Sequence, residues 1–172
     1  MVLNFFVIGQ VLTFISYLVF WISRFFKIKK NMLLWDTISR LVAILAFFFL
    51  GTFDGVKNTV FVIIRNYVGK TIDNKNKKVK ILAFLALLFT LTLLYCYNFN
   101  NLATIAIALC GIFNLYGTIM CDEQGIRLYG MIGSIFYMAF MVLTENYVGF
   151  VCEMICFLMI FLSYLKYKNK VY

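Results

Sequence analysis

Long apolar runs separated by short polar stretches occupy the chain from end to end. A helix that spans a hydrocarbon core of about 30 Å needs roughly 20 residues. On that ruler the pattern predicts seven spans: Phe5 to Phe26, Met32 to Leu50, Phe53 to Lys70, Ile81 to Tyr97, Leu102 to Met120, Leu128 to Thr144 and Tyr147 to Tyr167. The expected fold class is an all-α polytopic membrane protein with seven transmembrane helices.

The connections carry an orientation signal. Arg24, Lys27, Lys29 and Lys30 follow the first span, and Lys70, Lys75, Lys77, Lys78 and Lys80 follow the third. Arg127 follows the fifth, and Lys166, Lys168 and Lys170 follow the seventh. The other connections, Gly51 to Asp54, Asn98 to Asn101 and Glu145 to Asn146, contain no Lys or Arg. Basic loops stay on the cytoplasmic side of a membrane. An odd number of crossings, with the N-terminus outside and the C-terminus in the cytoplasm, satisfies that rule throughout, whereas six would force one basic loop to the wrong face.

Lys70 to Lys80 is the one sizeable polar segment, and it divides a single membrane domain, residues 1–172, into similar parts. Residues 5–70 form a first three-helix bundle, 81–97 a linker helix, and 102–167 a second three-helix bundle. Adding 94 to a residue number lays Leu34 on Leu128, Ile38 on Ile132, Gly55 on Gly149, Trp35 on Tyr129 and Phe53 on Tyr147. Three crossings reverse direction, and an added fourth restores it. The layout therefore reads as three plus one plus three, with two parallel bundles related by an axis along the membrane normal.

Composition supports the lipid environment and narrows the chemistry. Of 172 residues, 64% are hydrophobic and only 13% charged, with a mean hydropathy of +0.93. A water-soluble domain needs a charged fraction of roughly a quarter. The net charge of +9 lies in short runs between apolar segments, so it reads as a topology signal, and a nucleic-acid partner is not expected. There is no histidine, and Cys96, Cys110, Cys121, Cys152 and Cys156 form no CxxC pair, so no metal, cofactor or disulfide framework is expected. The N-terminal apolar run lacks a basic n-region and reads as a retained span. Proline is absent, which leaves bending to glycine, and the Gly130 to Gly133 segment reads as a close-packing site.

Ionisable side chains at bilayer depth cost on the order of 2.5–3.5 kcal/mol on insertion scales, so each needs a reason. Glu153, in the seventh span, has no neighbour in sequence to neutralise it and should either pair with a cation or hold a proton. Asn58 shifts to Cys152, one place before Glu153, so the two are expected on facing walls of one central cavity. Arg40 has Asp36 one turn before it and reads either as an i, i+4 ion pair at the interface or as a residue reaching inward to an anionic ligand or to Glu153. Arg65 lies five residues from Lys70 and is expected to snorkel to the interface. Gln10 and Asn114 are uncharged companions for the cavity. No nucleophile with a base, metal cluster or phosphate loop is present, so an enzyme is not expected, and Asp122-Glu123 reads as local charge trimming.

The stretch Leu33-Leu-Trp-Asp-Thr-Ile-Ser-Arg, then Phe49-Leu-Gly-Thr-Phe-Asp-Gly-Val-Lys-Asn and Ile64-Arg-Asn, resembles the first half of the YgjV-type bacterial inner-membrane proteins. Gln124-Gly-Ile-Arg-Leu and Tyr147-Val-Gly-Phe-Val-Cys-Glu resemble that family's closing segment. The resemblance implies residence in the bacterial cytoplasmic (inner) membrane and covers most of the chain, but it brings no assigned activity. The layout in turn resembles SWEET, PQ-loop and PnuC-like transporters, in which an Asn of the third span and a polar residue of the seventh line the substrate cavity. By that resemblance Asn58 fits the first position and Cys152 or Glu153 the second. The chain departs in having no gate prolines and no Pro-Gln dipeptide, only Gly9-Gln10, which argues against a proline hinge and a sugar substrate.

The functional expectation is a carrier or facilitator for a small polar or charged solute, in contact with the lipid bilayer and compatible with a homodimer. The alternative is a non-transporting receptor or assembly protein. The topology has a direct check: a reporter fused after Tyr172 should read as cytoplasmic and a tag before Met1 as external. Both ends on one side of the membrane would contradict it.

Overall fold

A backbone in hydrocarbon must satisfy its own hydrogen bonds, so each apolar run is driven into a helix. The computed structural model describes residues 2–96 and 101–168, and their regular elements are helices throughout: α1 (Val2–Arg24), α2 (Lys29–Phe49), α3 (Phe53–Thr71), α4 (Lys77–Tyr95), α5 (Leu102–Met120), α6 (Glu123–Leu143) and α7 (Tyr147–Lys168). They run from 19 to 23 residues, roughly 28–35 Å at the α-helical rise. Six are long and apolar enough to cross a membrane. The exception is α3, whose 19 residues include Asp54, Lys57, Arg65 and Lys70. Apart from Lys70 and Thr71 in its last turn, its exposed positions are nevertheless apolar or aromatic (Phe53, Val60, Ile64, Tyr67), while Asn58, Thr59, Arg65 and Asn66 are buried. Polar inside and apolar outside is the pattern of a helix whose solvent is lipid.

The helix ends differ from the hydropathy ruler mainly on the basic side. Helices α2, α4 and α6 start at Lys29, Lys77 and Glu123, ahead of the expected Met32, Ile81 and Leu128. Hydropathy marks the stretch that belongs in oil, while helical hydrogen bonding continues through the polar flank. Asp122 sets the start of α6 by accepting from Gly125 N at 2.8 Å. The expected Tyr97 end of the fourth span lies outside the described residues.

Packing closes six helices into a ring. Helix α2 packs against α1 and α3, α6 against α5 and α7, and the two groups join through α1 with α7 and α3 with α5. Helix α4 lies outside the ring along α5 and touches α3 only briefly. The ends are fixed by tertiary bonds. Lys29 Nζ bridges Asp73 at 2.9 Å and donates to Cys121 O at 2.9 Å. Arg127 Nη2 donates to Phe26 O at 3.1 Å and Ser163 Oγ to Arg24 O at 3.0 Å. The connections after α1, α3 and α5 and the last turns of α7 thus meet at one basic end. At the other end the Gly51–Asp54 turn, Asn101 and Thr144 border a common hollow.

The two halves share a local device. At the end of α2, Gly51 N donates to Phe48 O at 3.2 Å and Thr52 N to Phe47 O at 3.1 Å. At the end of α6, Glu145 N donates to Val142 O at 3.1 Å and Asn146 N to Met141 O at 2.9 Å. Both are Schellman caps, which need a left-handed residue, and the residues supplying it are Gly51 (φ 69°) and Glu145 (φ 55°), the same position under the 94-residue shift. Beyond each turn a glycine lets the next helix close in: a Cβ on Gly55 would meet the Phe47 ring at 2.6 Å, and one on Gly149 would meet Met141 Sδ at 2.8 Å. Burial also matches under the shift, as in the pairs Ala46 and Phe140, Phe47 and Met141, Asn58 and Cys152, Asn66 and Ile160.

Gly51 adopts the left-handed turn without penalty, whereas a residue with a Cβ is strained there by about 1 kcal/mol. Glu145→Gly is therefore expected to raise the Tm of detergent-purified protein by about 2–4 °C. An unchanged or lower Tm in a thermal melt would show that the turn carries no such strain.

Candidate functional site

Helix α2 places Asp36 and Arg40 one turn apart on its inward face. Asp36 is 3% exposed, and a carboxylate so far from water must be met by donors. Arg40 Nε donates to its Oδ1 at 3.1 Å, and Asn66 Nδ2 from α3 to its Oδ2 at 2.8 Å. Arg65 Nη2 lies 3.6 Å from the same Oδ2 and donates to Asn66 Oδ1 at 3.0 Å. One carboxylate thus holds two guanidiniums and locks α2 to α3. Arg65, expected at the lipid interface, instead turns inward and is 4% exposed. Asp36 draws it there, because an inward counter-ion at this depth outweighs the reach to the headgroups.

Glu153 is buried differently. Tyr17 Oη of α1 donates to its Oε2 at 2.7 Å, and Ser134 Oγ of α6 to its Oε1 at 2.5 Å. Among the described residues no cation forms an ion pair with it. Of the two readings of Arg40, the i, i+4 pair with Asp36 is the one formed, and Arg40 makes no ion pair with Glu153.

Both groups face one cavity of about 40 Å³ at the centre of the ring. Every ring helix contributes to its wall: Phe20 and Arg24 from α1, Arg40 from α2, Asn58 and Arg65 from α3, Asn114 from α5, Ser134 from α6 and Glu153 from α7. At ~15 Å³ of such space per molecule it holds about two or three waters. Larger hollows exist elsewhere, including one of about 330 Å³ between α2 and α3 lined largely by Leu33, Leu34, Ile63 and Ile64. That groove is apolar and faces outward, so it gathers no comparable chemistry.

Asn58, Arg40, Asn114 and Glu153 are therefore brought together, as their depth in the sequence suggests. Asn114 reaches the wall with its amide already donating to Cys110 O of its own helix at 3.0 Å. Its side chain also lies against Gly133, where a Cβ would not fit, so that glycine serves close packing. Gln10 does not join them. It sits about four turns along α1 from Arg24, toward the opposite end of the ring. Asp122 and Glu123 do more than trim charge: the first caps α6, and Glu123 Oε1 accepts from Lys29 N at 3.4 Å.

Arg24 is the residue that the sequence pattern conceals. It stands in a basic cluster after the first span, yet it is 7% exposed and lines the cavity. Its Cζ lies 4.1 Å from the Phe20 ring centroid, and Arg40 Cζ lies 4.8 Å from the same ring. The stripe Thr13, Ser16, Tyr17, Phe20, Ser23 and Arg24 is buried at spacings of three and four residues, and that inward polar periodicity is the available signal for it.

Removing one partner of a buried ion pair costs about 3–5 kcal/mol, because the other charge is left uncompensated. Asp36→Ala strands two, so it is expected to abolish folding or to lower the Tm more than Asn66→Ala, which removes hydrogen bonds to Asp36 and Arg65 but no charge. Equal shifts in the two variants would show that Asp36 does not organise the site.

Residues 7–170 match the Imp-YgjV family, described as bacterial inner membrane protein. No curated protein and no solved structure matched the chain. With six helices apolar enough to cross a bilayer and a family match over nearly its whole length, the chain is a multi-pass membrane protein that belongs to the Imp-YgjV family of bacterial inner membrane proteins.

Proposed function

We propose that this chain carries a small polar or charged solute across the bacterial inner membrane. On this reading α3 crosses with the other six helices, and α1–α3 and α5–α7 act as two parallel bundles joined by α4, in a three-plus-one-plus-three arrangement. The N-terminus is outside and the C-terminus cytoplasmic, which puts the basic end of the ring on the side the positive-inside rule requires. Access would alternate by rocking of the bundles around a fixed central site. The observation that carries the reading is the cavity itself: six helices each turn a residue toward one small chamber, and its polar members are ones a purely structural interior would avoid. The paired caps and matching burial support two units of similar build.

A second reading, a receptor or assembly protein whose inward polar groups only fix helix register, is favoured by the size of the chamber, about 40 Å³. Cys110 separates the two, since this native thiol lines the cavity. In a variant that retains Cys110 as its sole cysteine, a transporter exposes the thiol to a membrane-impermeant reagent from either side as it cycles. A register-fixing interior keeps it unreactive.

The transport test is saturable uptake into proteoliposomes from a panel of small anions, amino acids, nucleosides and sugars. At least one solute should be taken up, and Glu153→Gln, folded and correctly inserted, should reduce its uptake at least tenfold. No saturable uptake of any class, together with an inert Cys110, would overturn the proposal.

A further inference from the structure

The charges around the cavity do not cancel. Three guanidiniums, those of Arg24, Arg40 and Arg65, line it. Asp36 is engaged by two of them, Arg40 and Arg65. Glu153, the other carboxylate, has its two oxygens occupied by the Tyr17 and Ser134 hydroxyls. Arg24 remains. Its Nε has no hydrogen-bond partner among the described residues, and its one aromatic support, Phe20, is shared with a second cation. Even with both carboxylates ionised the cluster keeps an excess of one positive charge. A buried cation without a counter-ion is among the costlier features a membrane helix can carry.

Asn58 adds a second open valence. It is 5% exposed, lines the same cavity, and its Oδ1 also lacks a partner among the described residues. A carboxamide can present either its oxygen or its NH2 edge, so Asn58 supplies a donor beside the guanidiniums. Planar guanidinium donors match the paired oxygens of a carboxylate or other oxyanion.

We infer that the central cavity is a binding site for a small monovalent anion, an oxyanion or short carboxylate, held by Arg24 and Arg65 with Asn58 and supplying the negative charge the cluster lacks. A neutral solute leaves the excess in place, and a cation increases it. The volume limits the size of the guest. The cavity of about 40 Å³ holds about two or three waters, each with a liquid volume near 30 Å³, which is the bulk of formate, nitrate, bicarbonate or acetate and much less than that of a sugar or nucleoside. That this anion is also the carried solute rests on the transport reading. Its binding rests on the charge tally alone.

The experiment is a thermal melt of the detergent-purified protein titrated with sodium formate, nitrate, bicarbonate and acetate. Sodium gluconate serves as a bulky anion, and choline salts of the same anions control for the cation. Wild type should show a saturable rise in Tm with at least one small anion and with neither gluconate nor a change of cation. Arg24→Gln should raise the half-saturating concentration at least tenfold. Asn58→Asp places the missing carboxylate inside the cavity, so it should melt higher without salt and lose the response, which keeps the test decisive if Arg24→Gln fails to fold. A response identical for gluconate and small anions, or one that persists unchanged in both variants, overturns the inference. Uptake of a neutral or cationic solute without an anion response overturns it while leaving transport standing. Saturable anion binding without uptake of any solute keeps the site and removes the carrier.

Discussion

A carboxylate in a bilayer interior has no water to fall back on, and the arrangement around Asp36 follows from that. It needs donors from within the protein, and it takes them from two helices, through Arg40 on α2 and Asn66 and Arg65 on α3. The bond to Arg65 pulls a cation away from the headgroups and into the centre of the ring. The hydrophobic effect gives no preference for one apolar helix contact over another in lipid. A buried ion cluster does give one, because its members are tolerable in a single mutual arrangement.

The same constraint explains why α3 looks unlike its neighbours. Its composition falls short of an ordinary membrane span because it carries much of the site, while its outer face of Phe53, Val60, Ile64 and Tyr67 suits lipid. The apolar side chains that enclose the chamber, Phe20, Val62 and Ile160 among them, keep the surrounding dielectric low. Electrostatic contacts in the chamber are correspondingly stronger than the same contacts in water.

The helices and their order are legible in the sequence because lipid imposes one rule on every crossing, and the period of the apolar runs records it. The shift that lays Gly55 on Gly149 is legible too, and the structure gives it content: each glycine receives the side chain at the end of the preceding helix, Phe47 in one half and Met141 in the other. The sequence leaves Arg40 open between the interface and the interior, whereas Asn58, Asn114 and Glu153 can be read as inward because they stand deep in apolar runs. Arg24 and Arg65 cannot, because an arginine near a helix end has two destinations for its long side chain, the headgroups or the interior. A tertiary partner, Asp36, decides for Arg65, while Arg24 packs over Phe20, one turn back on its own helix. Gln10 fails for a related reason, since membership of a span fixes neither depth nor facing.

The turn caps and the glycines beyond them recur 94 residues apart, but the side chains around them differ. Where the first half places Asp36, Asn58 and Asn66, the second has Gly130, Cys152 and Ile160; where the second places Glu153, the first has Thr59. The guanidiniums therefore all come from one half and the Glu153 carboxylate from the other. The interior is thus lopsided, basic on one wall and acidic with hydroxyls on the other. An asymmetric guest meeting those two walls would have one favoured way round, set by the side chains that line them.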